Sequence, residues 1–200
     1  MTFTYGNGNW LDQLTGVTIT NHNGRTTSSS ITYDAIGNPL SYYNGTSYAL
    51  TWRNGRELDT LTTGGKTTSY EYDVNGLRTL KRNADGGYSV YYWAGDLLLA
   101  ERRVPAAGST VPARTLMFNY DENNSPVGFQ FKSDVSNYWY FYVFAKNAQG
   151  DITSIYRRDV DANGKKYLSH IADYEYDPWG RVLSVRDDSG RDISNESNDW

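Results

Sequence analysis

One short phrase recurs along this chain: a tyrosine, an aspartate, two variable residues, and then a glycine or an asparagine. Its copies begin at residues 33, 72, 120 and 176. Such an internal repeat constrains the whole architecture, because each copy is one structural unit that packs against the next. The phrase is typical of a strand that runs into a tight turn. It therefore predicts a long wall of β-strands rather than a globule built around one catalytic pocket.

The chemistry of the phrase explains the turn. Aspartate favours the first turn position because its carboxylate accepts hydrogen bonds from N–H groups within the turn. Glycine tolerates the left-handed conformation expected at the fourth position best, and asparagine tolerates it second best. The tyrosine points to the face opposite the aspartate and can pack its ring on the neighbouring hairpin. The repeat residues identified in this way are Tyr33, Asp34, Gly37, Asn38, Tyr72, Asp73, Gly76, Tyr120, Asp121, Asn124, Tyr176, Asp177 and Gly180.

Further turn signals recur about every ten residues in the first half of the chain, with glycines at 37, 45, 55, 64, 76, 86 and 95. That step fits a strand of six or seven residues plus a short turn. Asn-Gly and Gly-Gly pairs supply the positive φ angles of two-residue hairpins. No stretch between the turns shows a sustained helical periodicity. We therefore predict an all-β chain of consecutive antiparallel β-hairpins that form a curved, twisted β-sheet.

Composition limits the other possibilities. The 200 residues include 18 tyrosines and 6 tryptophans, whose large rings can offset a hydrophobic content of only 38%. A formal charge of −4 gives no electrostatic argument for binding nucleic acid. The absence of cysteine excludes disulfides, thiol chemistry and thiolate metal ligands. The longest apolar run, Trp139–Ala145, is too short to span a bilayer. The first residues have no signal-peptide pattern, so we expect any export signal to lie elsewhere in a longer chain.

No catalytic, cofactor-binding or metal-binding residue is expected. The two histidines, His22 and His170, lie far apart in sequence and form neither a metal-ligand pattern nor a triad. Paired carboxylates could act as acid and base in a hydrolase, but each repeat aspartate has a turn role that explains it. We therefore expect that the chain is not an enzyme.

The most apolar segment is residues 138–145. As a strand it would alternate aromatic residues on both faces, with Tyr138, Tyr140, Tyr142 and Phe144 on one face and Trp139, Phe141 and Val143 on the other. Core packing is the favoured interpretation. The alternative is an exposed aromatic strip that stacks on sugar rings. The candidate contacts for a glycan or a partner protein are then Tyr138, Trp139, Tyr140 and Tyr142.

Four phrases in the expected order resemble the RHS/YD-repeat family. They are Tyr33–Leu40, Thr51–Leu58, Lys146–Ile155 and Tyr174–Leu183. The third contains the family's strand-turn phrase around Gly150 and Asp151, which join the repeat residues. The resemblance covers residues 3–186. It places a YD-repeat β-strip at 1–186, with an inserted two-proline loop at 104–114, and a polar tail or linker at 187–200.

The family resemblance implies a β-strip that winds into a large hollow shell. Members include bacterial polymorphic toxins, insecticidal toxin-complex components and the teneurin adhesion receptors. In the bacterial toxins the shell encloses a carboxy-terminal toxic domain during export. We accordingly expect a structural module of a secreted or cell-surface protein that encapsulates or presents a toxin or effector segment. The alternative is a binding or adhesion module that recognises glycans or a partner protein through aromatic residues.

About four repeats are too few to close a shell. The resemblance therefore implies two partners, namely the remaining repeats of a larger shell and an enclosed toxin or effector. An isolated fragment leaves two sheet edges unpaired, so we expect it to self-associate through them. The chain also stops before the core-associated segment in which some members cleave themselves, so no cleavage residue is carried over.

Overall fold

The computed structural model describes residues 1–6, 8 and 10–194, and these residues form sixteen β-strands and no helix. The predicted all-β class is confirmed. No helix of the described residues could cross a bilayer. The strands are β1 (Thr2–Tyr5), β2 (Leu14–Thr20), β3 (Thr26–Ser30), β4 (Ser41–Tyr43), β5 (Ser47–Arg53), β6 (Glu57–Thr63), β7 (Lys66–Tyr72), β8 (Arg78–Arg82), β9 (Tyr88–Ala94), β10 (Leu97–Val104), β11 (Arg114–Tyr120), β12 (Pro126–Ser133), β13 (Tyr140–Lys146), β14 (Ile152–Val160), β15 (Lys166–Tyr176) and β16 (Val182–Asp187).

Each strand pairs with its neighbours in sequence, except that β3 does not pair with β4. Strands β4 to β16 form one thirteen-stranded sheet in sequence order, and β1 to β3 form a separate three-stranded sheet. This order confirms the prediction of consecutive antiparallel hairpins, because a two-residue or five-residue turn can join only antiparallel neighbours. The loop between β10 and β11 covers residues 105–113. Residues 195–200 of the predicted tail lie outside the described residues.

The sequence did not predict the break between the two sheets. Between β3 and β4 the only ladder contact is an isolated bridge between Tyr33 and Pro39. The proline at this position does not account for the break, because Pro126 holds the same place after the turn 121–125, pairs with Tyr120 and begins β12. The carbonyl of Pro39 accepts a 2.7 Å hydrogen bond from the indole Nε1 of Trp52.

The chain divides into two compact units. Unit 1 comprises Met1–Val90 with Pro105–Ser109, and unit 2 comprises Tyr91–Val104 with Thr110–Trp200. In unit 1, Val17, Ile31 and Tyr43 form a buried cluster. Its partly buried neighbours are Leu14, Ile19 and Tyr33. In unit 2 most strand residues are half-buried, and the buried ones include Ala172 and Glu101.

Candidate functional site: a repeated five-residue turn

The repeat phrase folds into a five-residue turn, here called the Asx turn because its first residue is Asp or Asn. In the copy that begins at Asp73, the Asp73 N–H donates to the Leu77 carbonyl at 2.9 Å, and the Gly76 N–H donates to the Asp73 carbonyl at 3.1 Å. Within the part of the chain that the structure describes, the same two backbone bonds close nine segments. They are residues 21–25, 34–38, 73–77, 83–87, 121–125, 147–151, 161–165, 177–181 and 187–191.

The side chain of the first residue holds the turn together. Oδ1 of Asp73 accepts hydrogen bonds from the N–H groups of Asn75 at 2.9 Å and Leu77 at 3.0 Å. The equivalent oxygen makes both bonds in eight turns, those headed by Asn21, Asp34, Asp73, Asp121, Asn147, Asp161, Asp177 and Asp187. Asn21 and Asn147 make the bonds without a charge, so the turn requires a carbonyl-type oxygen and not an ionised group.

The Tyr-Asp phrase marks four of the nine turn heads and misses the other five. Those five carry no preceding tyrosine, and they are Asn21, Asn83, Asn147, Asp161 and Asp187. Each is followed three residues later by a glycine, and that shorter Asx-x-x-Gly signal could have found all five. The structure places the predicted Gly150 and Asp151 at the fourth and fifth positions of the turn headed by Asn147.

The fourth turn position has a left-handed backbone. Gly76 has a φ of 77°, and Asn124, which replaces the glycine in the third copy, has a φ of 61°. Only glycine adopts this conformation without strain, and asparagine is among the few other residues that tolerate it. This requirement explains why the fourth position of the repeat alternates between these two residue types.

A β-bulge follows the turn in four places. At the turn headed by Asp73, Glu71 pairs with Leu80 and Tyr72 pairs with Arg78, so one residue of β8 is left over. The same register shift occurs in the pairings β11–β12, β13–β14 and β15–β16. A bulge increases the local twist of a strand. Turn and bulge together form the unit that the sequence repeats.

We expect that replacing Asp73 with alanine will destabilise unit 1 by about 1–2 kcal/mol, because two N–H groups of the turn lose their acceptor. Asp73→Asn should be nearly neutral, because asparagine heads three of the native turns, at residues 21, 83 and 147. Chemical denaturation of the three proteins measures the difference. Equal losses in the alanine and asparagine variants would show that the charge, and not the oxygen, stabilises the turn.

The tyrosine before the aspartate anchors the turn to another strand. The hydroxyls of Tyr33, Tyr120 and Tyr176 donate to the backbone carbonyls of Leu14 at 2.6 Å, Leu98 at 2.8 Å and Ile152 at 2.8 Å. Burial raises the pKa of all three hydroxyls above the ordinary value of tyrosine. In the second copy, the Arg53 guanidinium lies 5.8 Å from the ring centroid of Tyr72.

Replacing Tyr120 with phenylalanine should cost about 1 kcal/mol of unit 2 stability, since the carbonyl of Leu98 loses its donor while the ring contacts remain. Tyr138→Phe is the control, because the Tyr138 side chain is largely exposed at 75%. Thermal unfolding of both variants would report the difference. A Tyr120→Phe protein as stable as the control would contradict the anchoring role.

The first copy of the turn has two additional contacts. Asn38 is buried, and its Nδ2 donates to Oδ2 of Asp34 at 2.8 Å and to the Gly55 carbonyl at 2.6 Å. Burial alone would raise the pKa of Asp34, but the hydrogen bonds from Asn38, Ile36 and Gly37 hold it below its ordinary value.

In the last turn, bonds from Ser189 and Arg191 lower the pKa of Asp187 to about 2.

The aromatic segment takes part in sheet packing. β13 begins at Tyr140, so Tyr138 and Trp139 precede the strand and the predicted alternation applies from Tyr140 onward. The Tyr142 ring stacks on Phe129 with centroids 4.6 Å apart and ring planes 5° apart. Trp139 lies 5.9 Å from the Lys132 ammonium, and Tyr138 is exposed. The structure therefore does not bring the four candidate contacts together on one face.

The polar cluster around Asp173 does not have the geometry of a catalytic triad. The Nε2 of His170 lies 2.9 Å from Oδ1 of Asp173, and the Ser154 hydroxyl donates to that same oxygen at 2.7 Å. The serine therefore bonds the aspartate and not the histidine, which is not the relay of a serine nucleophile. Within residues 1–6, 8 and 10–194, no three His, Cys, Asp or Glu side chains are grouped to hold a metal ion.

Similarity to known proteins lies in the fold. No protein-family model and no curated protein sequence matches this chain. A crystal structure of TcdB2-TccC3-Cdc42 matches 91% of the chain with a TM-score of 0.53 and 15% sequence identity. The structure of the Photorhabdus luminescens Tc holotoxin pore with a mutated TccC3 matches 90% with a TM-score of 0.50 and 15% identity. The matched regions are 11% and 12% of those chains, so this chain spans about a tenth of their length. The chain thus shares its fold with part of these Tc toxin components.

Proposed function

We propose that this chain is a structural, non-catalytic segment of an RHS/YD-repeat β-shell that encapsulates or presents a toxin or effector segment. The observation that carries the proposal is the serial use of one Asx turn to join consecutive antiparallel strands. A repeat of this kind grows by addition of further identical units. The likeness of the fold to Tc toxin components supports the same function.

The proposed partners follow from the same reasoning. One partner is the set of further repeats that would continue the sheet, because β4 and β16 are its terminal strands. The other is a toxin or effector segment, by analogy with the pairing of TcdB2 with TccC3 in the matched structures. We propose a secreted or cell-surface location for the whole assembly.

The turn 187–191 supports a continuation of the sheet past β16. There Arg186 bridges to Asp192 and the Ile193 N–H donates to the Val185 carbonyl at 2.7 Å. This bridge holds the place that the pair Tyr72 and Arg78 holds beside the turn 73–77, where the next strand begins. Self-association of the isolated chain should involve the sheet edges, which include β1, β3 and β4.

The test is to identify the complete reading frame that contains this sequence, express its product, and image it by cryo-electron microscopy. The proposal expects a hollow particle with residues 1–194 in its wall, and protection of an internal segment from added protease. A complete product of only 200 residues would overturn the proposal, because it would be about a tenth of the length of the matched chains. A full-length product whose segments are all cleaved at equal rates would also overturn it.

A further inference from the structure

A cleft of about 420 Å³ lies beside the first Asx turn in unit 1. It is here called the Trp10 cleft and is defined by Trp10, Gln13, Thr15, Thr32, Tyr33 and Asp34, with Ile31 at its base. Protein sites for small molecules commonly have volumes of roughly 300–1,000 Å³. The Trp10 cleft is at the small end of that range, which suits a ligand of one or two rings.

The indole of Trp10 packs directly on the turn. A methyl group on Gly37 would lie 2.6 Å from Cζ3 of Trp10, whereas nothing lies within 4 Å of the equivalent position at Gly76, Gly150 or Gly180. The glycine of this turn therefore makes room for the ring. Trp10 is 50% exposed, so part of the indole remains open to a ligand.

Polar groups held in fixed positions surround the indole. Asp34 accepts three hydrogen bonds, from the N–H groups of Ile36 and Asn38 and from Nδ2 of Asn38. Two of these bonds go to Oδ1, and Oδ2 accepts the one from Nδ2 of Asn38, so Oδ2 is the oxygen that can accept a further bond from a ligand donor. The Tyr33 hydroxyl donates to the Leu14 carbonyl at 2.6 Å, which fixes its ring. Thr15 donates to the Thr4 carbonyl at 3.3 Å, so its oxygen can still accept.

This lining combines a flat apolar ring with several hydrogen-bonding groups. A purely apolar ligand would exclude water from the hydroxyl and carboxylate oxygens without supplying a donor to their remaining acceptor positions, which is unfavourable. A sugar ring satisfies both parts, because one face of a pyranose is formed by C–H groups while its hydroxyls donate and accept around the edge. We propose that the Trp10 cleft binds one neutral pyranose ring, stacked on the indole of Trp10 and donating a hydroxyl to the carboxylate of Asp34. This inference does not depend on the proposed shell function.

The experiment titrates the 200-residue chain with the methyl glycosides of glucose, galactose, mannose and N-acetylglucosamine, and follows ligand NMR signals. At least one glycoside should bind with a Kd on the order of 1 mM, as expected for a small polar ligand in an open cleft. Trp10→Ala should weaken that binding by at least about tenfold, and Trp10→Phe should retain part of it. Asp34→Asn should weaken it at least about fivefold, because the charged acceptor is lost and Nδ2 of Asn38 loses its partner Oδ2 as well.

Matched controls separate binding from folding. Asp73→Asn changes the same position of a turn that does not line the cleft and should leave the affinity unchanged. Hydrogen exchange of β2 and β3 should be the same in wild type and Trp10→Phe. The proposal is overturned if no glycoside binds at up to about 20 mM, if Trp10→Ala binds as wild type does, or if Tyr138→Ala abolishes binding. Binding of choline without any glycoside would assign the cleft to cations instead and would equally overturn it.

Discussion

Replacing Gly128 with alanine should destabilise unit 2 by about 3 kcal/mol or more. Gly128 lies in β12 between Asn119 of β11 and Val143 of β13, and an added Cβ would overlap the backbone carbonyl oxygen of Tyr142. A flexible side chain could move aside, but this atom belongs to the ladder itself. The two strands would have to separate locally, which places the change among the most damaging kinds of substitution.

Gly16→Ala is the matched control for this experiment. Gly16 also lies within a strand and lacks a left-handed φ, but its added Cβ would meet the Thr4 side chain at an ordinary 3.4 Å. The change there should be within about 1 kcal/mol, because alanine only replaces a flexible residue in a strand. Urea denaturation gives the two stabilities, and hydrogen exchange of β12 and β13 locates the loss. Equal effects of the two substitutions would refute the backbone clash.

Replacing Arg103 with leucine should cost about 2–3 kcal/mol. Glu101 is buried at 7% exposure, and Arg103 binds it through two bonds, Nε to Oε1 at 2.7 Å and Nη2 to Oε2 at 3.0 Å. The two residues are two apart in β10 and so share a face. Removal of the arginine leaves a buried carboxylate without its charged partner, which costs more than the pair contributes when intact. The Arg103 side chain is 34% exposed, which keeps the expected loss below that of a fully buried pair.

A double-mutant cycle tests this interpretation. The variant with leucine at both 101 and 103 should recover much of the stability lost in Arg103→Leu, because no buried charge remains. Arg82→Leu is the exposed control, since Arg82 lies 3.7 Å from Glu71 and both side chains are more than half exposed. Its effect should be below about 0.5 kcal/mol. A double variant less stable than Arg103→Leu would contradict the argument.

The features that the sequence predicted are those that depend on neighbouring residues. The Gly64-Gly65 pair forms a two-residue turn with positive φ at both positions, and Thr63 pairs with Lys66 across it. Asp34 and Asp73 head turns because their carboxylates accept hydrogen bonds from N–H groups within the turn, as the sequence predicted. The conformation of each of these turns depends on four or five consecutive residues, so it can be predicted from the sequence of that segment alone.

The features that the sequence did not predict depend on distant residues. The packing of Trp10 on Gly37 joins positions 27 residues apart, and no local pattern marks it. No local pattern marks the break between the sheets either, because Pro126 follows its turn as Pro39 does and yet continues the sheet. No sequence pattern distinguishes Gly128 from other strand glycines, because its close approach to the Tyr142 backbone arises from the pairing of β12 with β13.

Because the Asx turn forms with either a charged or a neutral residue at its head, such chains can change their net charge and keep their fold. Because Asn21 and Asn147 make the same bonds as Asp121 and Asp161, either residue can stand at a turn head. Single exchanges between the two amino acids would move the net charge away from −4 in either direction with little effect on the strands. Solubility and long-range attraction to other molecules could therefore drift, or be engineered, while the architecture persists.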